Sequence, residues 1–332
     1  MSRPLPAENA DDVTALLDRT ALLRVPVGFL VARGADTLPY LQTKLTADTR
    51  TWESAGGSRA VATDINGRVI ADALWHATDD GALAVRLAGD AEPLRAHLDR
   101  YVIMEDVELE ASAGEVLLLV GPFEDALTAA GLPVPDTRTL QGPADGLRAA
   151  RTRWLGRDAV LLVGSAEVLD DAATALEGAG VPMARPDALE AAEILSACAR
   201  EGMDLLVGET IPLEAGLWEA VSFNKGCYLG QEVIERLFSR GQPNKRLVRL
   251  TWNGPPVAPR HGLEAGGRDA GFVTRSVKLS DGRSAALAYV RRRALDGEHP
   301  IHLAEAGTPV TLHGIVGGRT PTEGDGNDFG PA

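Results

Sequence analysis

The sequence predicts an α+β protein that ends in a smaller antiparallel β unit. Strand-like runs come in pairs followed by a helix through the first part of the chain, a pattern that gives sheets with helices layered on one side. Near Lys245 helical periodicity stops, and glycine, proline and short strand-like runs take over. With 332 residues, 45% of them apolar, the chain is long enough for two or three packing units.

In order, residues 11–19 read as a helix, because Val13, Leu16 and Leu17 share a face behind an acidic start. Residues 22–32 form an apolar, β-branched run and read as a strand. A helix then passes through Leu38, Leu41 and Leu45 and is closed by the polar stretch 46–51. Residues 59–63 and 68–76 read as strands joined by Asp64-Ile65-Asn66-Gly67; Asn-Gly predicts a tight hairpin with positive φ at both central positions. Residues 82–87 continue the sheet, and 91–101 read as a helix. The next pairs are strand 115–120 with helix 123–130, and strand 159–163 with helix 166–178. A helix over 188–199 carries Cys198 on its apolar face, most simply as a core residue. Beyond 245, the runs 247–252, 270–276, 284–290 and 309–312 fit a small antiparallel barrel or sandwich. Residues 319–332 have little to bury and read as a disordered tail.

Composition excludes several classes. No run approaches the ~18 apolar residues that a membrane span needs. The first 12 residues have neither the cationic start nor the apolar block of a secretory signal. Cys198 and Cys227 cannot make a disulfide framework, which points to a reducing, cytoplasmic setting. The six histidines are scattered and suggest no metal site. The net charge of −14 is uneven, with 11 Lys and Arg against 5 Asp and Glu over 245–300. Such a patch suits either an RNA surface or two oppositely charged units that dock, and the second account is the simpler.

Chemistry concentrates in Phe223-Asn224-Lys225-Gly226-Cys227-Tyr228-Leu229-Gly230-Gln231-Glu232-Val233-Ile234-Glu235-Arg236. Gly226 and Gly230 flank a thiol, as where a backbone turns tightly or approaches something closely. Val233, Ile234 and Leu237 give helical spacing behind them, with Glu232 and Arg236 as an i,i+4 pair. A helix N-terminus and Lys225 would both favour the thiolate of Cys227. Gln231 and Glu232 could bond a ligand or cap the first turn. The alternative is a cysteine that serves as a small buried hydrophobe.

The octet Lys225 to Glu232 resembles the K-G-C-Y-x-G-Q-E signature of the YgfZ family, folate-binding relatives of the glycine-cleavage T-protein. Further likenesses are Gly34-Ala35-Asp36, Leu41-Gln42, Leu45-Thr46-Ala47-Asp48, Asn66-Gly67-Arg68-Val69-Ile70 and Ile211-Pro212-Leu213-Glu214-Ala215-Gly216-Leu217. Gly271-Phe272-Val273-Thr274-Arg275-Ser276 and Ala286-Leu287-Ala288-Tyr289-Val290 resemble the family's C-terminal barrel. The resemblance implies a T-protein-like ring of three units around a central hole. Two fused units would span 1–244 and a small β-barrel 245–318.

It also implies a folate-binding accessory factor for the assembly or repair of iron–sulfur proteins. Cys227 would be the reactive group, supported by Lys225. Tetrahydrofolate or a derivative would be the cofactor, with Asp72, Tyr228, Gly226, Gly230, Gln231, Glu232 and Arg236 as binding residues. An iron–sulfur cluster held by one cysteine would be transient, since clusters normally take four ligands. The alternatives are an aminomethyl- or methyltransferase acting on tetrahydrofolate and a binding protein linked to tRNA modification. T-protein enzymes carry two adjacent aspartates after the hairpin; the matching pair here is Ala71-Asp72, so Asp72 alone is carried over. The family's R-x-E-A-G pattern meets Cys198-Ala199-Arg200-Glu201-Gly202. Aligned on Gly202, the pattern's glutamate falls on Arg200, and Glu201, one place off, takes no role.

Overall fold

The computed structural model describes residues 8–143, 145–239 and 243–317. The first sheet contains β1 (Ala21–Arg33), β2 (Gly57–Thr63), β3 (Val69–Thr78), β4 (Gly81–Arg86), β5 (Glu108–Val120), β6 (Arg148–Trp154) and β7 (Arg157–Val163). Its order is β2-β3-β4-β1-β5-β7-β6, antiparallel throughout. The second sheet contains β8 (Lys245–Asn253), β9 (Gly262–Ala265), β10 (Arg268–Lys278), β11 (Arg283–Arg291), β12 (Ile301–Leu303) and β13 (Thr311–Ile315). Its order is β12-β9-β10-β11-β8-β13, also antiparallel. The helices that pack on them include α1 (Glu8–Asp18), α2 (Thr37–Gln42), α3 (Trp52–Ala55), α4 (Glu92–Asp99), α5 (Glu124–Ala129), α6 (Ala166–Gly178), α7 (Pro186–Leu195) and α8 (Gln231–Ser239). The class is α+β, as the sequence predicts.

Helices cover both faces of the first sheet, where the sequence pattern suggested one. The alternation of side chains along β1 explains this. Leu23, Val25 and Val27 join a core with Val13 and Leu16 of α1 and Ala188, Ala192 and Ile194 of α7. Leu30 and Ala32 face the opposite way, towards α2, α3 and α4. On that same face Leu22 meets the core that holds α5 and α6. Strands that are apolar on both sides need cover on both sides. α7 lies between the sheets, because its core also takes in Leu247, Leu287 and Tyr289 of the second sheet.

Other departures have local causes. Only Gly67 is left-handed in the 64–67 turn, with φ +70°, and Asp64 Oδ1 accepts from the amides of Asn66 and Arg68 at 2.8 Å each. The carboxylate closes a longer turn than the Asn-Gly pair predicts. β5 begins at Glu108 because it pairs with the whole of β1, and the exposed Glu108, Glu110 and Glu115 break the apolar pattern of its first part. β6, an edge strand, carries Arg148, Arg151 and Arg153 and has no such run. α7 stops at Leu195, short of Cys198, since Ala197 takes φ +57°. Cys198 packs against the core from the loop that follows. The tail expected at 319–332 lies outside the described residues.

Candidate functional site

The glycine-flanked segment runs beside residues 43–47 and the 63–67 turn. Ser222 N donates to Thr46 O at 2.9 Å and Leu229 N to Thr43 O at 3.1 Å. Thr63 Oγ1 donates to Leu229 O at 2.6 Å. Lys225 is buried, and its ammonium donates to Leu45 O at 2.8 Å and Ala47 O at 2.5 Å. The same Nζ stands 5.0 Å from the centre of the Tyr228 ring. Burial lowers the Lys225 pKa to about 7. This lysine therefore clasps the loop to its neighbour.

The two glycines differ. Gly230 has φ +84°, and a Cβ there would meet Asp64 O at 2.5 Å and Thr63 Oγ1 at 2.7 Å, so close packing on the turn requires glycine. A Cβ on Gly226 would meet nothing within 4 Å. Cys227 is exposed, and α8 begins four positions after it at Gln231. Gln231 Oε1 accepts from Tyr228 N at 3.3 Å, closing the turn into α8. Glu232 and Arg236 pair at 2.6 Å on the solvent side. Tyr228 is buried, and its hydroxyl has no hydrogen-bond partner among the described residues. Burial raises its pKa. Phe223 stacks on Phe238 of α8 at 4.0 Å, fixing the far end of the loop.

Asp72 belongs to a different place, a depression none of whose lining residues comes from 223–236. It measures about 300 Å³ counted out to open solvent, and its enclosed part has room for about one water molecule. Leu74, Val85, Leu87 and Trp154 supply apolar walls. Arg59 grips Asp72 with two nitrogens, Nε to Oδ1 at 2.9 Å and Nη2 to Oδ2 at 2.6 Å. Glu201 Oε2 accepts from Asp72 N at 2.6 Å, and Glu201 Oε1 pairs with Arg86. The Arg86 and Glu201 side chains are only 4% and 7% exposed, so the pair is a desolvated one. Burial raises the Glu201 pKa, and the Arg86 charge opposes it. Arg86 Nε and Nη1 have no hydrogen-bond partner among the described residues.

Sequence reasoning singled out Asp72 here, set Glu201 aside as one place off the family's glutamate, and missed Arg59, Arg86 and Trp154. One signal was available: a hairpin closed at 64–67 pairs Val61 with Asp72, which sets Arg59 diagonally across from Asp72 on the same face. The likeness to R-x-E-A-G marked the segment of Glu201, but the irregular loop there places the side chain one position away from the pattern's glutamate.

Among the described residues, no group of three or more His, Cys, Asp or Glu could hold a metal ion, and no helix is long and apolar enough to cross a membrane. No family model matches the chain. An aminomethyltransferase of Geobacillus thermodenitrificans is 30% identical over 290 residues, covering 80% of this chain and 76% of that protein. A tRNA-modifying protein YgfZ of Sodalis glossinidius is 26% identical over 317 residues, covering 91% of this chain and 92% of that protein. A shorter match, 36% identical over 83 residues, spans 25% of this chain and 19% of a chloroplastic protein of Arabidopsis thaliana. The solved glycine cleavage system aminomethyltransferase T of Bartonella henselae matches with a TM-score of 0.78 at 18% identity, covering 94% of this chain and 90% of that one. At that identity the structural likeness is one of fold.

Proposed function

The chain belongs to the family that includes the aminomethyltransferases and the YgfZ proteins, and from that premise we propose that it is a folate-binding accessory factor for iron–sulfur proteins. The observation that carries the folate half is the Asp72–Glu201 depression. Each ionised carboxylate has about four lone-pair sites. Arg59 on Asp72, and Arg86 with the Asp72 amide on Glu201, leave acceptor capacity for the N–H edge of a pterin. Trp154, Leu74, Val85 and Leu87 offer the apolar contact that a flat ring needs. The donor set fits; the enclosed space is small, so a ring would enter from the open side. A bound tetrahydrofolate would supply a carrier for one-carbon units.

One feature favours holding a folate over transferring an aminomethyl group from it: Ala71 stands where the transferases carry a second aspartate. An assay for folate-dependent release of ammonia or formaldehyde from an aminomethyl donor separates the two activities. The closed C-terminal barrel, the three-unit ring and a cytoplasmic setting belong to the same proposal.

Cys227 is the proposed working thiol. It is exposed on a loop fixed on one side by the Lys225 clasp and on the other by Gly230 and the start of α8. One sulfur supplies one ligand, so a transient cluster would draw the others from the client protein or a small thiol. The test is Cys227→Ala and Cys227→Ser in the host, reading cluster-containing enzymes. The expected outcome is a several-fold loss of their activity with the chain still present at normal abundance; unchanged activity removes the thiol from its role. A tRNA-linked role is the second reading, favoured by the name of the Sodalis relative. It requires tRNA affinity that falls steeply with salt.

A further inference from the structure

We propose that Arg275, on the second sheet, is a positioning residue for the Asp72–Glu201 depression and acts through the loop that follows α7. The inference rests on the reading of that depression as a ligand site. Arg275 is 3% exposed. Its Nη1 pairs with Glu193 Oε2 of α7 at 2.6 Å, its Nη2 pairs with Asp204 Oδ2 at 2.7 Å, and Nη2 also donates to Cys198 O at 3.0 Å. One guanidinium thus holds the end of α7 and both ends of the 198–204 loop. Between these anchors lie Ala199, Arg200 and Glu201, which line the depression.

The backbone of β10 is built for this. Neighbouring residues of a regular strand point to opposite faces. Thr274 and Arg275 nevertheless both reach Asp204, Thr274 through its hydroxyl to Oδ1. The register of β10 against β11 shifts between Val273 and Arg275, and a bulge of that kind re-aims a side chain. The loop needs such support. Ala197 and Gly202 are left-handed, at φ +57° and +79°, and the Arg200 carbonyl accepts from the amides of Asp204 and Leu205.

Charge balance says what removal would do. Glu193 and Asp204 are buried carboxylates, and two guanidiniums face them, those of Arg275 and Arg200. Arg200 bonds Glu193 through Nη2 at 2.8 Å, and its backbone amide donates to Asp204 Oδ2 at 3.0 Å. Without Arg275 two buried anions share one cation, a strongly unfavourable arrangement. The Arg200 guanidinium is then drawn on by both carboxylates, and its move from Glu193 towards Asp204 carries the adjoining Glu201 off the Asp72 amide.

The experiment uses the full chain as wild type, Arg275→Met and Arg275→Lys. Hydrogen exchange is read at the Asp72 amide, which Glu201 holds, with the Leu161 amide in β7 as an internal control. Affinity for 5-formyltetrahydrofolate is measured alongside. In Arg275→Met we expect the Asp72 amide to exchange about tenfold faster or more, the Leu161 amide to keep its wild-type rate, and affinity to fall about tenfold or more. Arg275→Lys, which keeps the charge and loses the fork, should lie between, and it decides the matter if Arg275→Met does not fold. Wild-type exchange at Asp72 in the folded variants overturns the inference, as does a general acceleration that includes Leu161. If the wild type binds no folate while the Asp72 amide responds as expected, the ligand reading falls and the positioning role stands.

Discussion

His76 shows how burial shapes a residue's chemistry. It is 2% exposed, its Nδ1–H donates to Arg138 O at 2.7 Å, and Nε2 has no partner among the described residues. Burial pushes its pKa down to about 4. In the unfolded chain the imidazole titrates near 6.5, so as the pH falls through 6.5 the unfolded state takes a proton that the folded state refuses. The contribution is complete above pH 6.5 and is lost progressively down to pH 4, an acid cost of about 3 kcal/mol. Urea unfolding at pH 7 and pH 4.5 should show a smaller difference in His76→Gln than in the wild type; equal differences would mean that the ring is hydrated in the folded state. Lys225 makes a related point. Two positions from Cys227 in sequence, it directs its ammonium to the Leu45 and Ala47 carbonyls and so fixes the loop that carries Cys227.

At the scale of elements, the two glycines of one motif are expected to behave differently. Gly230→Ala forces an L-residue into φ +84° with its Cβ against the Asp64 carbonyl, and thermal unfolding should report a loss of at least about 2 kcal/mol. Gly226 is not left-handed and faces open space, so Gly226→Ala should stay within about 0.5 kcal/mol. Equal losses would contradict the packing of Gly230 on the hairpin turn. The hairpin itself was legible in the sequence, because Asn-Gly between apolar runs is a local signal. So was α8, whose Ile234 and Leu237 point to one apolar cluster. β6 was not, since three arginines on an edge strand break the apolar pattern. Glu201 was set aside for a different reason. Its position depends on Arg275, more than seventy residues away, and on a bulge in β10, neither of which leaves a local pattern.

Across the whole molecule, part of the cationic excess from Lys245 onwards is met by carboxylates of the preceding part of the chain. Arg260 pairs with Glu209, Lys245 with Glu214 and Arg275 with the buried Glu193 and Asp204, all outside the stretch. These contacts are of the kind that the simpler account of the charge asymmetry, docking of two oppositely charged units, calls for. The two sheets share a core through α7, and the ion network at its end joins the second sheet to the depression that holds Asp72 and Glu201. The proposed function turns on what occupies that depression. Its most direct test is a titration of the wild type, Glu201→Gln and Asp72→Asn with tetrahydrofolate, followed by Trp154 fluorescence with Trp154→Phe as the reporter control. Saturable binding by the wild type, weakened about tenfold or more in both carboxylate variants, is the predicted result. Equal affinity in all three, or no binding by the wild type, would contradict it.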